Sequence, residues 1–296
     1  METTWKVLDV LDWTTNYFKD KKIASARLDA ELLIGFALNL SRIDLYLNFD
    51  RPLNKEELKK IRELVKRRAK FEPVAYLIGK KEFYSLEFEV TKDVLIPRPE
   101  TEILVEQAIR IAQSTEHGAR STEHRRLRIV DLGCGSGNIA ISVAKNLEDS
   151  LVYATDVSRK ALEVARRNAF SLGVSDRVVL LCQDLFSAFS NSLEVDLILS
   201  NPPYISLEEY PALAPDIRNF EPGEALEAGE EGLRFYRKII DEAPEYLKEK
   251  GYLILEIGSA QAAMVKELIL ASGEFLSCKI VKDYSGLDRV AVVQRK

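Results

Sequence analysis

The chain is poor in the residues that build disulfide and metal sites. Among its 296 residues are three cysteines, Cys134, Cys182 and Cys278, far apart and without a C-x-x-C pair. That scatter argues against a disulfide scaffold or a zinc ribbon and fits a reducing compartment. Histidine is scarcer still, with only His117 and His124, and no metal site is expected. No apolar run is long enough to span a bilayer. The opening Met1-Glu2-Thr3-Thr4-Trp5-Lys6 lacks the apolar core of a signal peptide, so a cytoplasmic protein without a membrane partner is expected. An excess of positive charge is also missing: 42 Lys and Arg stand against 47 Asp and Glu, a net charge of −5. This balance argues against a dedicated nucleic-acid binder, while leaving room for a local basic patch. The chain is 46% hydrophobic and 30% charged, enough to bury a substantial core, and its length suggests about two domains.

What stands out instead is Asn201-Pro202-Pro203-Tyr204. It follows Val195-Asp196-Leu197-Ile198-Leu199-Ser200, an apolar run that reads as a buried strand. Two prolines in succession remove two N–H donors but leave their carbonyl acceptors. Asn201, preceding a proline, is pushed toward an extended backbone. The turn therefore offers a side-chain oxygen and a free carbonyl side by side, next to an aromatic ring. A planar –NH2 group fits such a pair. With both hydrogens accepted in plane, its lone pair is turned toward an electrophile, and alignment of this kind is most of what an enzyme can add to so weak a nucleophile. The plainer alternative is a turn in which prolines merely stop a strand.

A second motif lies upstream. Arg128-Ile129-Val130-Asp131-Leu132 reads as a strand, Gly133-Cys134-Gly135-Ser136-Gly137 as a tight turn, and Asn138 to Lys145 as a helix. Glycines let backbone approach a ligand, and the helix N-terminus offers free N–H groups to a carboxylate. About twenty residues on, Asp156 ends another apolar run, where an acidic side chain grips ribose hydroxyls. Asp184 and Leu185 follow a third run and suit an adenine amino group. A glycine-rich loop alone equally admits a nicotinamide dehydrogenase, but the G-x-G-x-G spacing lacks the third glycine of the dinucleotide fingerprint. Ligands of open α/β sheets lie outside the carboxyl ends of the strands. The loop, Asp156, Asp184 and Asn201 are therefore expected to line one cleft.

The first 75 or so residues read as helices. Trp5, Leu8, Leu11 and Phe18 recur at helical spacing, as do Leu28, Leu32, Leu33, Phe36 and Ala37. Asn54 with Glu57 reads as a capping box opening a helix over Lys55–Ala69. The run of Lys59, Lys60, Lys66, Arg67, Arg68 and Lys70 makes that helix basic, as a solvated face or a contact for an acidic or RNA-associated partner. Residues 82–96 alternate as in a hairpin. After Asn201, Tyr252–Glu256 reads as a buried strand, Ala260–Leu270 as a helix, and the two segments around Ser285-Gly286 as a closing hairpin. Between the helix that ends near Ala112 and the Arg128 strand, Ser-Thr-Glu-His occurs twice, carrying both histidines. An exposed duplicated linker is the preferred reading over paired metal ligands.

The four strand-end motifs together resemble the Rossmann-like methyltransferases that use S-adenosylmethionine, and Asn-Pro-Pro-Tyr is similar to the motif of those that act on amino groups. More of the chain resembles one family, the peptide chain release factor glutamine methyltransferases. The similarity lies in Glu72 to Gly79, Glu82-Phe83-Tyr84, Leu95 through Glu102 (with Ile96-Pro97-Arg98-Pro99-Glu100-Thr101-Glu102), Glu221-Pro222, Ala225-Leu226, Glu256-Ile257-Gly258 and Asp288 to Ala291. One departure is Ala228 to Gly232, where that family more often has paired glycines and an Asp.

The resemblance implies an α/β fold: a Rossmann-like class I methyltransferase sheet with a small N-terminal helical bundle. Its expected parts are a substrate-recognition domain over 1–80, a hairpin linker over 81–97 and a methyltransferase domain over 98–296. It implies methyl transfer from S-adenosylmethionine to the side-chain amide nitrogen of the glutamine in the Gly-Gly-Gln loop of class 1 release factors, with no nucleic acid required. Gly133, Cys134, Gly135, Ser136 and Gly137 would hold the methionine part, Asp156 the ribose, Asp184 and Leu185 the adenine. Asn201, Pro202, Pro203 and Tyr204 would bind and align the amide, with Asn201 also reaching the cofactor. A ribosomal-protein glutamine methyltransferase and an adenine-N6 methyltransferase are the alternatives; the latter needs a basic groove and a base-extrusion pocket.

Overall fold

The computed structural model describes residues 4–114, 126–190 and 192–296. The duplicated Ser-Thr-Glu-His segment with its two histidines lies outside the described residues. The chain forms two compact units, one of residues 1–80 with 214–220, the other of residues 81–213 with 221–296.

The first unit is helical: α1 (Val7–Asp20), α2 (Ala26–Leu38), α3 (Arg42–Leu47), α4 (Lys55–Arg68) and α5 (Val74–Ile78), with the late helix α9 (Pro215–Phe220). Local chemistry sets the start of α4. Asn54 Oδ1 accepts from Glu57 N at 2.9 Å, and Glu57 Oε2 accepts from Asn54 N at 3.0 Å, so two otherwise orphaned N–H groups are satisfied together. The buried face matches the apolar spacing only in part: Leu11, Phe18 and Leu33 are buried as that spacing suggests, and other members of the two stripes are not. Val7, Val10, Leu11 and Phe18 of α1 pack with Ala26, Ala30, Leu33 and Ile34 of α2, while Trp5, Leu8, Trp13, Leu28 and Phe36 are exposed. Helix α2 is apolar on most sides, so spacing alone could not phase it. The basic run of α4 is also not uniformly a solvated face. Arg68 is buried, and its Nε donates to the buried Asp29 at 2.7 Å, with Asp216 of the late segment 3.7 Å away.

The second unit is built on a seven-stranded mixed sheet. Its strands are β3 (Leu127–Leu132), β4 (Ser150–Asp156), β5 (Val178–Cys182), β6 (Val195–Ser200), β7 (Leu247–Glu256), β8 (Phe275–Lys282) and β9 (Asp288–Arg295), in the order 5-4-3-6-7-9-8. The first five run parallel and β9 is antiparallel to both its neighbours. Helices α6 (Glu102–Gln113), α7 (Asn138–Asn146), α8 (Arg159–Ser171), α10 (Arg234–Tyr246) and α11 (Ala262–Ser272) accompany it. Ile129, Val152, Leu197 and Ile254 pack with α6, α7 and α8; Val130, Ile198, Leu253 and Leu255 pack with α10 and α11. Both faces are thus covered, which is why Leu197, Ile198 and Leu199 stand apolar in succession rather than alternating with polar residues.

The register fixes the site. Leu132 lies opposite Thr155 on one side and Ser200 on the other; Asp156 lies opposite Cys182, and Ser200 opposite Leu255. Gly133, Asp156, Asp184, Asn201 and Glu256 therefore emerge along one edge of the sheet. The chain leaves β3 for β4 on one flank while β6 lies on the other, so the crevice opens at this topological switch point.

A separate hairpin, β1 (Lys80–Phe83) and β2 (Leu86–Glu89), turns through Tyr84 and Ser85. Both have positive φ, 50° and 58°, as the mirror-image turn of a tight hairpin requires. Glu102 Oε1 accepts from Tyr84 N at 2.8 Å. On the other strand the buried Asn168 accepts from Glu89 N at 2.7 Å and donates to Glu89 O at 3.0 Å. Its amide also donates to Ser136 O at 2.9 Å, tying the hairpin and the glycine-rich turn to α8.

Candidate active site

The glycine-rich turn is shaped by three left-handed glycines. Gly133, Gly135 and Gly137 have φ of 72°, 53° and 80°. A Cβ on Gly133 or Gly135 would meet nothing within 4 Å, so these two leave an open cradle at the strand end. Gly137 differs: a Cβ there would come 2.8 Å from Ile141 Cδ1 and 3.2 Å from Ala165 Cβ. It closes the contact between α7 and α8 and does not line the cleft. Cys134 and Ser136 are buried beside the turn, and burial pushes the Cys134 thiol well above its ordinary value.

Asp156 caps this geometry. Its Oδ2 accepts from Gly135 N at 2.9 Å and its Oδ1 from Ser158 N at 2.8 Å. Each oxygen keeps a further acceptor position for a hydroxyl. Burial raises its carboxyl above the ordinary range, against the pull of the two N–H donors, and the nearby Glu224 adds to the rise. Gln183 shapes the next station: its Nε2 donates to Leu185 O at 2.7 Å, and Leu185 has φ of 46°. Asp184 stands at the exposed rim, 3.6 Å from Lys238.

One cleft gathers Gly133, Gly135, Asp156, Asp184, Leu185, Asn201, Pro202 and Pro203, with Glu224 and Phe235 on its wall. The cleft encloses about 160 Å³ and opens to solvent at its mouth. A smaller cavity shares Leu95, Gly133, Gly135 and Asn201 and adds Arg98, Thr101, Cys134 and Ser136. Asn201 is common to both.

The Asn-Pro-Pro-Tyr turn is braced from behind. Gln261 Nε2 donates to Tyr204 O at 3.0 Å, and its Oε1 accepts from Gly258 N at 3.1 Å. The 226–232 segment pairs with the residues after the turn: Ile205 N donates to Leu226 O at 2.9 Å, Ala228 N to Ile205 O at 2.8 Å and Leu207 N to Gly229 O at 3.0 Å. A Cβ on Gly232 would fall 2.5 Å from Tyr204 O. The loop that departs from the expected family pattern thus keeps the glycine that lets it reach the turn. Tyr204 itself does not line the cleft. Its ring packs near Gly258 and Tyr236, and burial, with Glu256 nearby, pushes its hydroxyl up to about 12. Asn201 Nδ2 donates to Thr101 Oγ1 at 3.2 Å. Among the described residues, Asn201 Oδ1 and the Pro202 carbonyl accept no hydrogen bond.

Residues 9–79 match the PrmC N-terminal domain family and residues 119–214 the Methyltransferase small domain family. A release factor glutamine methyltransferase from Geobacter sulfurreducens is 44% identical over 97% of this chain and 95% of its own length. One from Rhodopirellula baltica is 39% identical over 99% and 98%. The chain belongs to the release factor glutamine methyltransferase family. A solved methyltransferase from Pyrococcus furiosus, 21% identical, has the same fold with a TM-score of 0.52 over 78% of this chain and 98% of that one.

The methyl donor of such enzymes, S-adenosylmethionine, fits the residues present. The open cradle at Gly133 and Gly135 admits a backbone-hugging chain, and Asp156 keeps acceptor positions for ribose. Two buried polar atoms at these strand ends, Asp131 Oδ1 and Gln183 Oε1, have no partner among the described residues. Asp131 was not singled out by sequence reasoning, although it stands two residues before the glycine-rich turn. Its Oδ2 accepts from Ala140 N at 3.0 Å, and burial raises its carboxyl to about 7.

Other neighbours of the site carried no local signal. Glu221 is buried and holds Arg98 at 2.5 Å and Ile96 N at 3.1 Å, clamping the Ile-Pro-Arg-Pro segment from 123 residues away. Glu256, at the end of β7, is 1% exposed; burial raises its carboxyl to about 7, while the Thr101 hydroxyl and the charge of Arg289 pull the other way.

Proposed function

We propose that this enzyme methylates the side-chain amide nitrogen of the glutamine in the Gly-Gly-Gln loop of class 1 release factors. The observation that carries the reading is the pair of open acceptors, Asn201 Oδ1 and Pro202 O, on the cleft shared with Gly133, Gly135 and Asp156. An amide –NH2 has two hydrogens in plane. Accepting both holds the nitrogen at one point and turns its lone pair out of plane. S-adenosylmethionine, when bound, supplies a methyl group already activated on a sulfonium. The chain's own part is to bind, align and exclude water. Pro202 and Pro203 contribute by presenting carbonyls without competing N–H donors. Gln261 and the 228–232 loop keep the turn rigid, which is what makes alignment reproducible.

The helical unit is assigned to recognition of the protein substrate. It carries no nucleoside motif, and it exposes large apolar side chains that include Trp5, Trp13, Leu28 and Phe36. A groove on it is lined by Trp5, Trp13, Tyr17, Leu58, Arg62 and Lys66. Single rim contacts are often near neutral, whereas buried aromatic anchors carry binding energy. The net charge of −5 supports a reading without nucleic acid. No helix among the described residues is long and apolar enough to cross a membrane, and the cytoplasm, where translation ends, is the assigned compartment.

The test is methylation of purified release factor in vitro, with the modified residue located by mass spectrometry. The expected product carries one methyl on the Gly-Gly-Gln glutamine. Asn201→Ala removes one clamp and slows transfer on the order of a hundredfold. Asn201→Asp keeps an acceptor oxygen and retains measurable activity where Ala does not. Trp13→Ala raises KM for release factor and leaves cofactor affinity alone. Transfer by Asn201→Ala at the wild-type rate would sink the clamp.

A further inference from the structure

We propose that Gln183 is a positioning residue for the base of the methyl donor: it locks Leu185 in a left-handed backbone and so aims the Leu185 N–H at N1 of the adenine. The inference rests on the reading of this cleft as the S-adenosylmethionine site and adds what holds its adenine end. Gln183 and Leu185 both line the cleft that contains Gly133, Gly135 and Asp156.

Leu185 carries the strain. Its φ of 46° lies in the region that bulky L side chains avoid. Leucine also lacks the short polar group with which asparagine or aspartate steadies itself there. A residue so placed persists only when its surroundings over-determine it, and such residues cluster at functional sites. Here the surroundings are explicit. Gln183 Nε2 donates to Leu185 O at 2.7 Å. Gln183 N donates to Asp156 O at 3.1 Å, which ties this turn to the ribose station. On the other side, Ser187 N donates to Asp184 O at 3.0 Å and Phe189 N to Phe186 O at 2.9 Å. Phe186 is 1% exposed and stacks on Tyr246 with ring centres 4.8 Å apart. Of these hydrogen bonds, only the one from the Gln183 side chain ends on Leu185.

Two atoms point to a ligand. Leu185 N has no acceptor among the described residues, although Leu185 lines the cleft. An N–H left unpaired on a cleft wall is a donor open to a ligand. Gln183 is 7% exposed, and its Oε1 has no partner among the described residues either. The amide cannot be reversed to satisfy it, because its oxygen would then face the Leu185 carbonyl. The side chain thus holds Leu185 at the loss of one hydrogen bond, which a residue present for packing alone would not incur. Asp184, between the two, stands at the exposed rim 3.6 Å from Lys238. The edge of adenine away from its sugar carries N1, an acceptor, and Leu185 stands two residues past the tie to Asp156.

Titration calorimetry of the full-length enzyme tests this with S-adenosylhomocysteine, the demethylated product of the donor, and its 1-deaza and 3-deaza forms, in each of which one ring nitrogen is a C–H. Wild type should bind the 1-deaza form roughly fivefold to tenfold more weakly than the parent, the loss of one hydrogen bond, and the 3-deaza form within about twofold of it. Gln183→Met keeps the length of the side chain but has no donor for Leu185 O. It should weaken the parent roughly fivefold to tenfold and leave the 1-deaza form within about twofold, so that the penalty for deleting N1 disappears. In a Leu185→Gly background, where a left-handed backbone needs no brace, Gln183→Met should change affinity for the parent by less than about threefold. A merely structural role would weaken both ligands together, and glycine would not rescue it. If Gln183→Met does not fold, Gln183→Ala is read in the same way. Equal wild-type affinity for the parent and 1-deaza forms overturns the Leu185 donor, and that arm needs no variant. A penalty that persists in Gln183→Met overturns the role of Gln183. Asp156→Ala should weaken the parent and 1-deaza forms alike; if it weakens neither while the wild-type N1 penalty stands, the ribose reading falls and the base reading survives.

Discussion

Replacing Asp156 by alanine should weaken cofactor binding far more than it weakens the fold. Each carboxylate oxygen already accepts one backbone N–H, from Gly135 at 2.9 Å and Ser158 at 2.8 Å, and each has room for a ribose hydroxyl. Hydrogen bonds to a charged acceptor contribute roughly 1.5–3 kcal/mol. At about 1.4 kcal/mol per tenfold, affinity should fall roughly 12- to 140-fold. The effect on folding is smaller because two contributions oppose. Burial raises this carboxyl above its ordinary value, so the ionised side chain costs the ligand-free fold something, and its removal offsets the two lost backbone contacts. The melting temperature should therefore move by no more than about 2–4 °C, equivalent to about 1 kcal/mol. Titration calorimetry with S-adenosylmethionine, beside thermal denaturation of the same samples, checks both numbers. Unchanged affinity would show that the carboxylate does not face the ribose. Weak binding accompanied by a collapse of the melting temperature would show that it acts only as a brace for Gly135. Asp156→Asn should fall near Ala in affinity, because its –NH2 would face a backbone donor.

Gly137→Ala should destabilise by about 1–3 kcal/mol through overpacking against Ile141 and Ala165 and a positive φ, a loss that denaturant titration measures. Arg68→Ala should cost on the order of 3–5 kcal/mol, because it leaves Asp29 buried without its partner; urea unfolding followed by fluorescence of Trp5 and Trp13 reports on that unit. The ligand-free protein should be more stable at pH 6 than at pH 8. Asp131 and Glu256 are both raised to about 7, so the folded state binds more protons than the unfolded one between the ordinary carboxyl value and 7, and stability is lost as pH rises through that window, by on the order of 1 kcal/mol per group. Denaturation midpoints at the two pH values check the sign. Ser85→Gly should stabilise by a few tenths of a kcal/mol at most, since relief of a left-handed φ is partly offset by greater freedom of the unfolded chain; differential scanning calorimetry resolves a shift of that size.

What was legible in the sequence was what is written locally. The Asn54 and Glu57 cap is three residues wide and was readable as such. The strand ends that carry Gly133, Asp156, Asp184 and Asn201 each follow an apolar run, and the rule that ligands lie at such ends places them on one cleft. What was not legible depends on distance along the chain. Arg68 reads as one more basic residue until Asp29, 39 positions earlier, is seen against it. Thr101 and Asn201 lie 100 positions apart, and no spacing rule joins them. Tyr204 sits in the motif, yet its ring lies beside Gly258 and its carbonyl is held by Gln261, partners 54 and 57 positions further along the chain. Helix α2 gave too little contrast between its sides for its buried face to be chosen from apolar spacing.

The makeup of the helical unit bears on how these enzymes can be recombined. Its residues come from two stretches, 1–80 and 214–220, and Arg68 of the first lies 3.7 Å from Asp216 of the second. A chimaera made by exchanging only the first eighty residues would graft a foreign bundle onto a native α9, mixing two lineages inside one unit. Exchange of both stretches together keeps that unit of single origin. A library that shuffles recognition specificity among relatives therefore needs two coordinated crossovers around α9 as well as the junction near Lys80, and its failures should concentrate among clones that lack them.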